Sequence, residues 1–236
     1  MRSIGSSATL GALRHERSIF DLIANNLSNV QTAGFKKDAP IFHTILNESV
    51  GRYENMMADG TQTLFNQGDI QNTGNPLDLA IEGEGFFKVK TPQGMRYTRT
   101  GNFRLSREKV LVNADSYPVM GKKGEIRFSG QTFVVGKDGT IKVDGAEVDR
   151  IDLVNFSDLS GLKKEGHTLF RLEIPQAEGE ARNSQLHQGA LESSNVNSIE
   201  EMVKLIDSLR SYESCMKVIQ SNDEMDGRAV NELGRV

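Results

Sequence analysis

Apolar residues repeat with helical heptad spacing at both ends of this chain, and neither repeat has a partner close in sequence. Leu13, Phe20 and Leu27 recur every seven residues, with Ile23 and Val30 three residues after Phe20 and Leu27. Met202, Leu205, Leu209, Tyr212, Met216 and Ile219 follow an unbroken 3-4-3-4-3 spacing. On a helix each set draws one apolar seam. Periodicity alone leaves open an ordinary helix packed on its own domain. The simplest way to bury both seams is to bring the termini together as one antiparallel pair, with the middle of the chain looped out. Val203, Ile206 and Val218 widen the C-terminal face beyond a two-helix seam, which predicts contact with more than one neighbour.

Local signals place the helix ends. Gly34 can take a left-handed conformation at no steric cost, so the first helix is expected to stop near Thr32. On that ground Gly34→Val should do more harm than Gly34→Ala. Ser198 followed by Glu201 forms a capping-box pattern, with Asn197 as an alternative cap. Asp226-Gly227 marks a stop for the second helix.

Between the helices the period changes from 3.6 to 2. Residues 86–90, 95–99, 132–135, 140–143 and 151–154 read as strands, and Asp138-Gly139 and Asp144-Gly145 as hairpin turns. The expected fold is α+β: N- and C-terminal helices paired as a coiled-coil-like inner domain, with an inserted, mostly antiparallel β domain. The boundaries are 1–37 for the N-terminal helix, 38–75 for an extended connector, 76–187 for the β domain and 188–236 for the C-terminal helix.

Charge follows the same division. Residues 1–37 carry five basic and two acidic side chains, residues 188–236 five basic and nine acidic. Opposite signs favour pairing of the ends, although exposed charges are screened within about 10 Å at 0.1 M salt. The net charge of −4 gives no reason to expect nucleic acid or an anionic membrane as partner. No apolar run reaches the length of a transmembrane helix, and Arg14, His15, Glu16 and Arg17 interrupt the N-terminal segment where a signal peptide would be apolar. Taken alone, that argues for the cytoplasm.

The chain offers little for catalysis. Glu82-Gly83-Glu84-Gly85 contains G-x-G, but Lys88 stands where a third glycine would and no helix follows. Gly121-Lys122-Lys123-Gly124 lacks P-loop spacing. His15, His43, His167 and His187 are isolated, and Cys215, the one cysteine, has no histidine near it in sequence. No metal, cofactor or catalytic residue is expected, though an unmarked carboxylate pair in the β domain would make a cell-wall-acting enzyme the competing reading. A carbohydrate- or peptide-binding module would need an exposed aromatic platform, yet Trp is absent and aromatics reach 6%. Asn25, Asn26 and Asn29 are unusual in a helix. They either satisfy free backbone groups at its end or fix register beside the seam.

Ala24-Asn25-Asn26-Leu27-Ser28-Asn29-Val30, followed by Thr32-Ala33-Gly34-Phe35-Lys36, closely resembles the N-terminal signature of the bacterial flagellar rod and hook family. Gln188 to Asn197, then Glu200-Glu201-Met202, resembles its C-terminal signature. Gly74 to Ile81, Gly83, Gly85-Phe86-Phe87 and Tyr97-Thr98-Arg99-x-Gly101-x-Phe103 are similar to its β domain. Lys109 and Ser116 stand near positions where the family often has glycine, which puts the turns there in question, and Ser28 stands where alanine is usual.

The resemblance implies a drive-shaft subunit that polymerises through its terminal helices and transmits torque from motor to hook. Its partners would be copies of itself, adjacent rod proteins and the flagellar type III export apparatus, with no membrane insertion. Export without a cleaved signal peptide would put it in the periplasmic rod of the basal body and replace the cytoplasmic expectation. The ending Met216 to Ser221 with Gly227-Arg228-Ala229 looks more like the proximal rod protein than the longer distal-rod or hook proteins, which are the alternative within the family. The assembly residues expected are Leu13, Phe20, Ile23, Asn25, Asn26, Leu27, Asn29, Val30, Gly34, Phe35, Met202, Leu205, Leu209, Tyr212, Met216 and Ile219.

Overall fold

A computed structural model describes residues 4–47, 52–130, 132–166, 168–181 and 183–233. The chain divides into two units, Met1–Ser28 with Asp38–Gln62 and Asn197–Val236, and Asn29–Lys37 with Thr63–Val196.

The first unit holds helices α1 (Ile4–Ser28) and α2 (Ser198–Leu233) and the paired strands Asp38–Asn47 and Arg52–Thr63. In α1, Ile23 and Asn26 are buried and Leu13, Phe20 and Leu27 are half-buried, so one stripe is turned inward as the spacing predicts. The Asn26 amide donates to Glu201 Oε2 at 3.4 Å and the Ser208 hydroxyl donates to Glu16 Oε2 at 3.4 Å. Residue 26 meets 201 and residue 16 meets 208, so the chain directions oppose each other past these bonds. Asn197 caps α2, its side-chain oxygen accepting from the Ile199 and Glu200 amides at 3.1 and 3.3 Å.

Both helix ends differ from expectation. α1 stops at Ser28, six residues before Gly34. α2 runs through Gly227 to Leu233, since a lone glycine costs a helix only about 1 kcal/mol. In the stretch expected as a connector, the described residues 38–47, 52–63 and 70–72 are strands.

The second unit is antiparallel β. Its largest sheet has six strands in the order Leu162–Glu165, Leu169–Leu172, Gly94–Thr98, Phe86–Thr91, Leu153–Asn155 and Gly179–Glu180. Phe86–Thr91 explains its adjacent phenylalanines by period 2. Phe87 and Val89 enter the main core with Leu79, Ile81, Leu111, Ile126 and Ile141, while Phe86 joins Tyr97, Phe156 and Phe170 in a second cluster. A three-stranded sheet, Phe133–Val135, Thr140–Val143 and Ala146–Arg150, closes on the Asp144-Gly145 turn expected from sequence. Both turn residues have positive φ, 49° and 85°, as a two-residue hairpin of type I′ needs. Asp138-Gly139 likewise ends the turn between the first two of these strands, with the Gly139 amide donating to Gly136 O at 2.9 Å.

Lys109 and Ser116 settle the question raised by the family's glycines. Both adopt the left-handed region, φ 59° and 67°, so this chain keeps the turn geometry without the residue that adopts it most readily.

Candidate functional site

Two features are candidates, one in each unit. In the first unit, α2 presents an apolar face that the described residues leave uncovered. Ile199 is 74% exposed, and Met202, Val203, Ile206, Leu209, Tyr212 and Val218 are all exposed as well. Glu201 and Ser208, by contrast, are buried, and Leu205, Met216 and Ile219 half-buried. The spacing rule found the helix but drew the seam through the apolar residues alone. The structure turns inward a stripe that includes Glu201 and Ser208, because polar side chains with partners can be buried. Met202, Leu209 and Tyr212 consequently face outward.

The three asparagines separate. Asn26 exchanges two bonds with the Asp38 backbone, donating to its carbonyl at 2.8 Å and accepting from its amide at 3.0 Å, besides its bond to Glu201. Asn25 is exposed. Asn29 is buried in the turn after α1, where its side-chain oxygen accepts from the Thr32 hydroxyl at 3.2 Å. Val30 is half-buried in the same turn.

In the second unit, a buried ionic junction ties together residues far apart in sequence. Glu192 Oε1 accepts from Lys36 Nζ at 2.5 Å and from the Gly68 amide at 2.9 Å, and Oε2 accepts from Arg99 Nη1 at 3.4 Å. The Lys36 and Glu192 side chains are fully buried. Lys36 also donates to Asn66 O at 2.7 Å, and Arg99 Nη2 to Gly83 O at 2.7 Å. Burial pushes the Lys36 ammonium and the Arg99 guanidinium below their ordinary pKa values, and the Glu192 carboxylate opposes the shift in both. Arg99 Nε is buried with no partner among the described residues.

Backbone bonds reinforce the junction. The Gly34 amide donates to Glu192 O at 2.7 Å, the Lys37 amide to Asn195 Oδ1 at 2.7 Å, and the Thr100 hydroxyl to Ala33 O at 3.0 Å. Phe35 is fully buried, with Lys164 Nζ 4.1 Å from its ring centre. Gly34 and Phe35 are thus placed here, whereas Lys36, Arg99 and Glu192 went unsingled in the sequence. Lys36 is the lone charge of the first signature, Arg99 shares the second with Asp78, and Glu192 shares the third with Glu200 and Glu201.

Among the described residues no group of His, Cys, Asp and Glu is arranged to hold a metal. His187 Nε2 lies 2.6 Å from Glu82, Cys215 is half-buried on α2, and His167 lies outside the described residues. No described helix is long and apolar enough to cross a membrane.

Comparison with known proteins gives these features a setting. Residues 187–232 match the family described as flagellar basal body rod FlgEFG protein C-terminal, and residues 80–143 the flagellar hook protein FlgE/F/G D1 domain. The flagellar basal-body rod protein FlgF of Caulobacter vibrioides is 37% identical over 231 aligned positions, covering 93% of this chain and 94% of that protein. The chain belongs to the flagellar basal-body rod protein family. FlgG of Bacillus subtilis is 31% identical and FlgG of Borreliella burgdorferi 34%, each with 98% of both chains covered. These relatives are structural rod proteins, and the chain is a structural rod subunit rather than an enzyme. In this member of the family all three signature segments contribute to the junction, through Lys36, Arg99 and Glu192.

Proposed function

We propose that this rod subunit polymerises through its terminal helices, which form a coiled-coil-like inner domain, and that the polymer carries torque from motor to hook. The observation that carries the reading is the uncovered apolar face of α2, from Ile199 to Val218. Contiguous exposed apolar surface marks an interaction site, and in a subunit that polymerises the natural cover is a neighbouring subunit. The bonds from Asn26 to Glu201 and from Ser208 to Glu16 support the antiparallel helix pair beneath that face. The expected seam residues then divide by role: Leu13, Phe20, Ile23, Leu27, Leu205, Met216 and Ile219 serve the pair, and Met202, Leu209 and Tyr212 serve the neighbour. Asn25 belongs with the neighbour-facing set.

The reading extends to a periplasmic place in the basal body, reached through the flagellar type III apparatus. It also extends to the proximal rod. The C-terminal resemblance supports the proximal assignment. So does length: FlgG of Bacillus subtilis and of Borreliella burgdorferi align over 262 and 268 positions, more than the 236 residues here, so the alignments hold insertions absent from this chain. FlgF of Caulobacter vibrioides aligns over 231.

The test is Leu209→Glu. A charge placed where a neighbour should cover it would have to be desolvated. Basal bodies purified from the mutant should lack the subunit while circular dichroism of the free protein keeps its β signal. Normal incorporation and motility would overturn the reading.

A further inference from the structure

Residues 104–127 form a small antiparallel patch in the second unit whose two sides differ. Leu111 is fully buried in the main core. Arg104 pairs with Val112, Val112 with Pro118, and Val110 with Arg127. Residues paired across a ladder point to the same side, and successive residues to opposite sides. Arg104, Val110, Val112, Pro118 and Arg127 therefore share the side away from Leu111. They line one cleft of about 520 Å³, joined there by Leu105, Ser106, Arg107, Glu108 and Ser116.

Three guanidinium groups meet one lining carboxylate, Glu108, and a second, Glu125, pairs with Arg127, which leaves the cleft net cationic in a chain whose net charge is −4. Two of the arginines have partners at hand. Arg104 donates to Ala114 O at 3.1 Å and to Ser116 Oγ at 2.7 Å, and Arg127 donates to Glu125 at 2.8 Å. Arg107 is exposed and makes no hydrogen bond or ion pair among the described residues, so the fold does not account for it.

We propose that this cleft docks an acidic polypeptide segment of a neighbouring protein, with glutamate or aspartate side chains meeting the arginine rim. A guanidinium fork matches a carboxylate with two parallel bonds. Half-buried Pro118, paired with Val112 on the cleft side, gives the ligand an apolar surface to rest on. A carboxylate on a methylene stem uses that surface, whereas a small hydrated anion does not. An acidic polysaccharide would offer the charges, but its hydroxyl-covered rings match the apolar floor poorly.

The test uses the full chain and an immobilised hexaglutamate peptide at low salt, with optical sensing of the bound protein. Wild type should bind saturably. Arg107→Ala should weaken binding about fivefold and Arg107→Glu more than tenfold, roughly as expected for loss and reversal of one charge-assisted contact. Lys142→Ala, at an exposed lysine of the three-stranded sheet, should stay within about twofold because it lies on another sheet. Arg107 has no partner to lose among the described residues, so Arg107→Ala should melt as wild type does, and both variants are compared only after melting curves match. No saturable binding by wild type, or wild-type binding by Arg107→Glu, would overturn the proposal. So would stronger competition by alginate than by free hexaglutamate at equal carboxylate concentration, or full displacement by equimolar inorganic phosphate. Assembly through α2 stands apart from all these results, since Arg107 belongs to the second unit.

Discussion

A methyl group on Gly34 would sit 2.5 Å from the Thr100 amide nitrogen and 2.6 Å from the Arg99 carbonyl carbon. The residue also has a φ of +67°. Left-handed backbone costs a non-glycine residue about 1–2 kcal/mol, and forcing backbone apart in a packed site adds about 1–3. Gly34→Ala should therefore already cost about 2–5 kcal/mol, measurable as a fall in thermal midpoint, and Gly34→Val should add little harm to that. The sequence-based ranking of valine as worse than alanine rests on conformation alone; the approach of Thr100, 66 residues away in sequence, is invisible to it. Lys109 offers the opposite case. Its φ of 59° and exposed side chain predict that Lys109→Gly raises stability by up to about 1 kcal/mol, and a lower melting temperature would contradict this.

The buried junction yields a pH prediction at the same scale. Burial lowers the Lys36 pKa in the folded state, so between that value and the ordinary 10.5 the unfolded chain binds more protons than the folded one. Stability rises with pH wherever the unfolded state holds the extra proton. The cost of the buried charge is thus fully present below the lowered pKa and is relieved as pH climbs towards 10.5. The stability of wild type relative to Lys36→Met should shift in favour of wild type on the alkaline side, followed by urea unfolding at successive pH values. Glu192→Ala strands two cations and should cost about 3–5 kcal/mol at neutral pH.

Among the elements, local chemistry made some legible and left others hidden. Asp144-Gly145 identified its hairpin because few sequences satisfy two positive φ angles in a row. The Phe86–Thr91 strand was plain from its β-forming residues. The paired strands Asp38–Asn47 and Arg52–Thr63 were not, since their polar and apolar residues do not alternate cleanly. α1 ends at Ser28 although no glycine or proline stands there. Residues 29–37 leave the helix to join the second unit, where Phe35 and Lys36 find burial and a charge partner. That tertiary gain outweighs helix propensity and was not visible locally. For α2 the periodicity was right and the inward stripe was not, because Glu201 and Ser208 are buried where they meet Asn26 and Glu16. Asn26→Ala should accordingly lower the helical signal's melting temperature, at a cost of about 1–3 kcal/mol for an acceptor left unmet. Unchanged helical melting would mean the bond contributes nothing.

For the molecule as a whole, the family was readable because three separated signatures occur in order, whereas the meeting of one charged residue from each was not. Their residues Lys36, Arg99 and Glu192 meet only in the folded chain. Assembly is the complementary case: its signal, an apolar helix face, is present in sequence but needs the structure to show that the described residues leave the face open. The most direct test measures that face in place. With Cys215→Ser removing the native thiol, Leu209→Cys should react quickly with a maleimide in the free subunit, where Leu209 is 43% exposed. In purified basal bodies the same position should react at least about tenfold more slowly, as burial by a neighbouring subunit requires. Equal labelling rates in the free and the incorporated subunit would contradict assembly through this face.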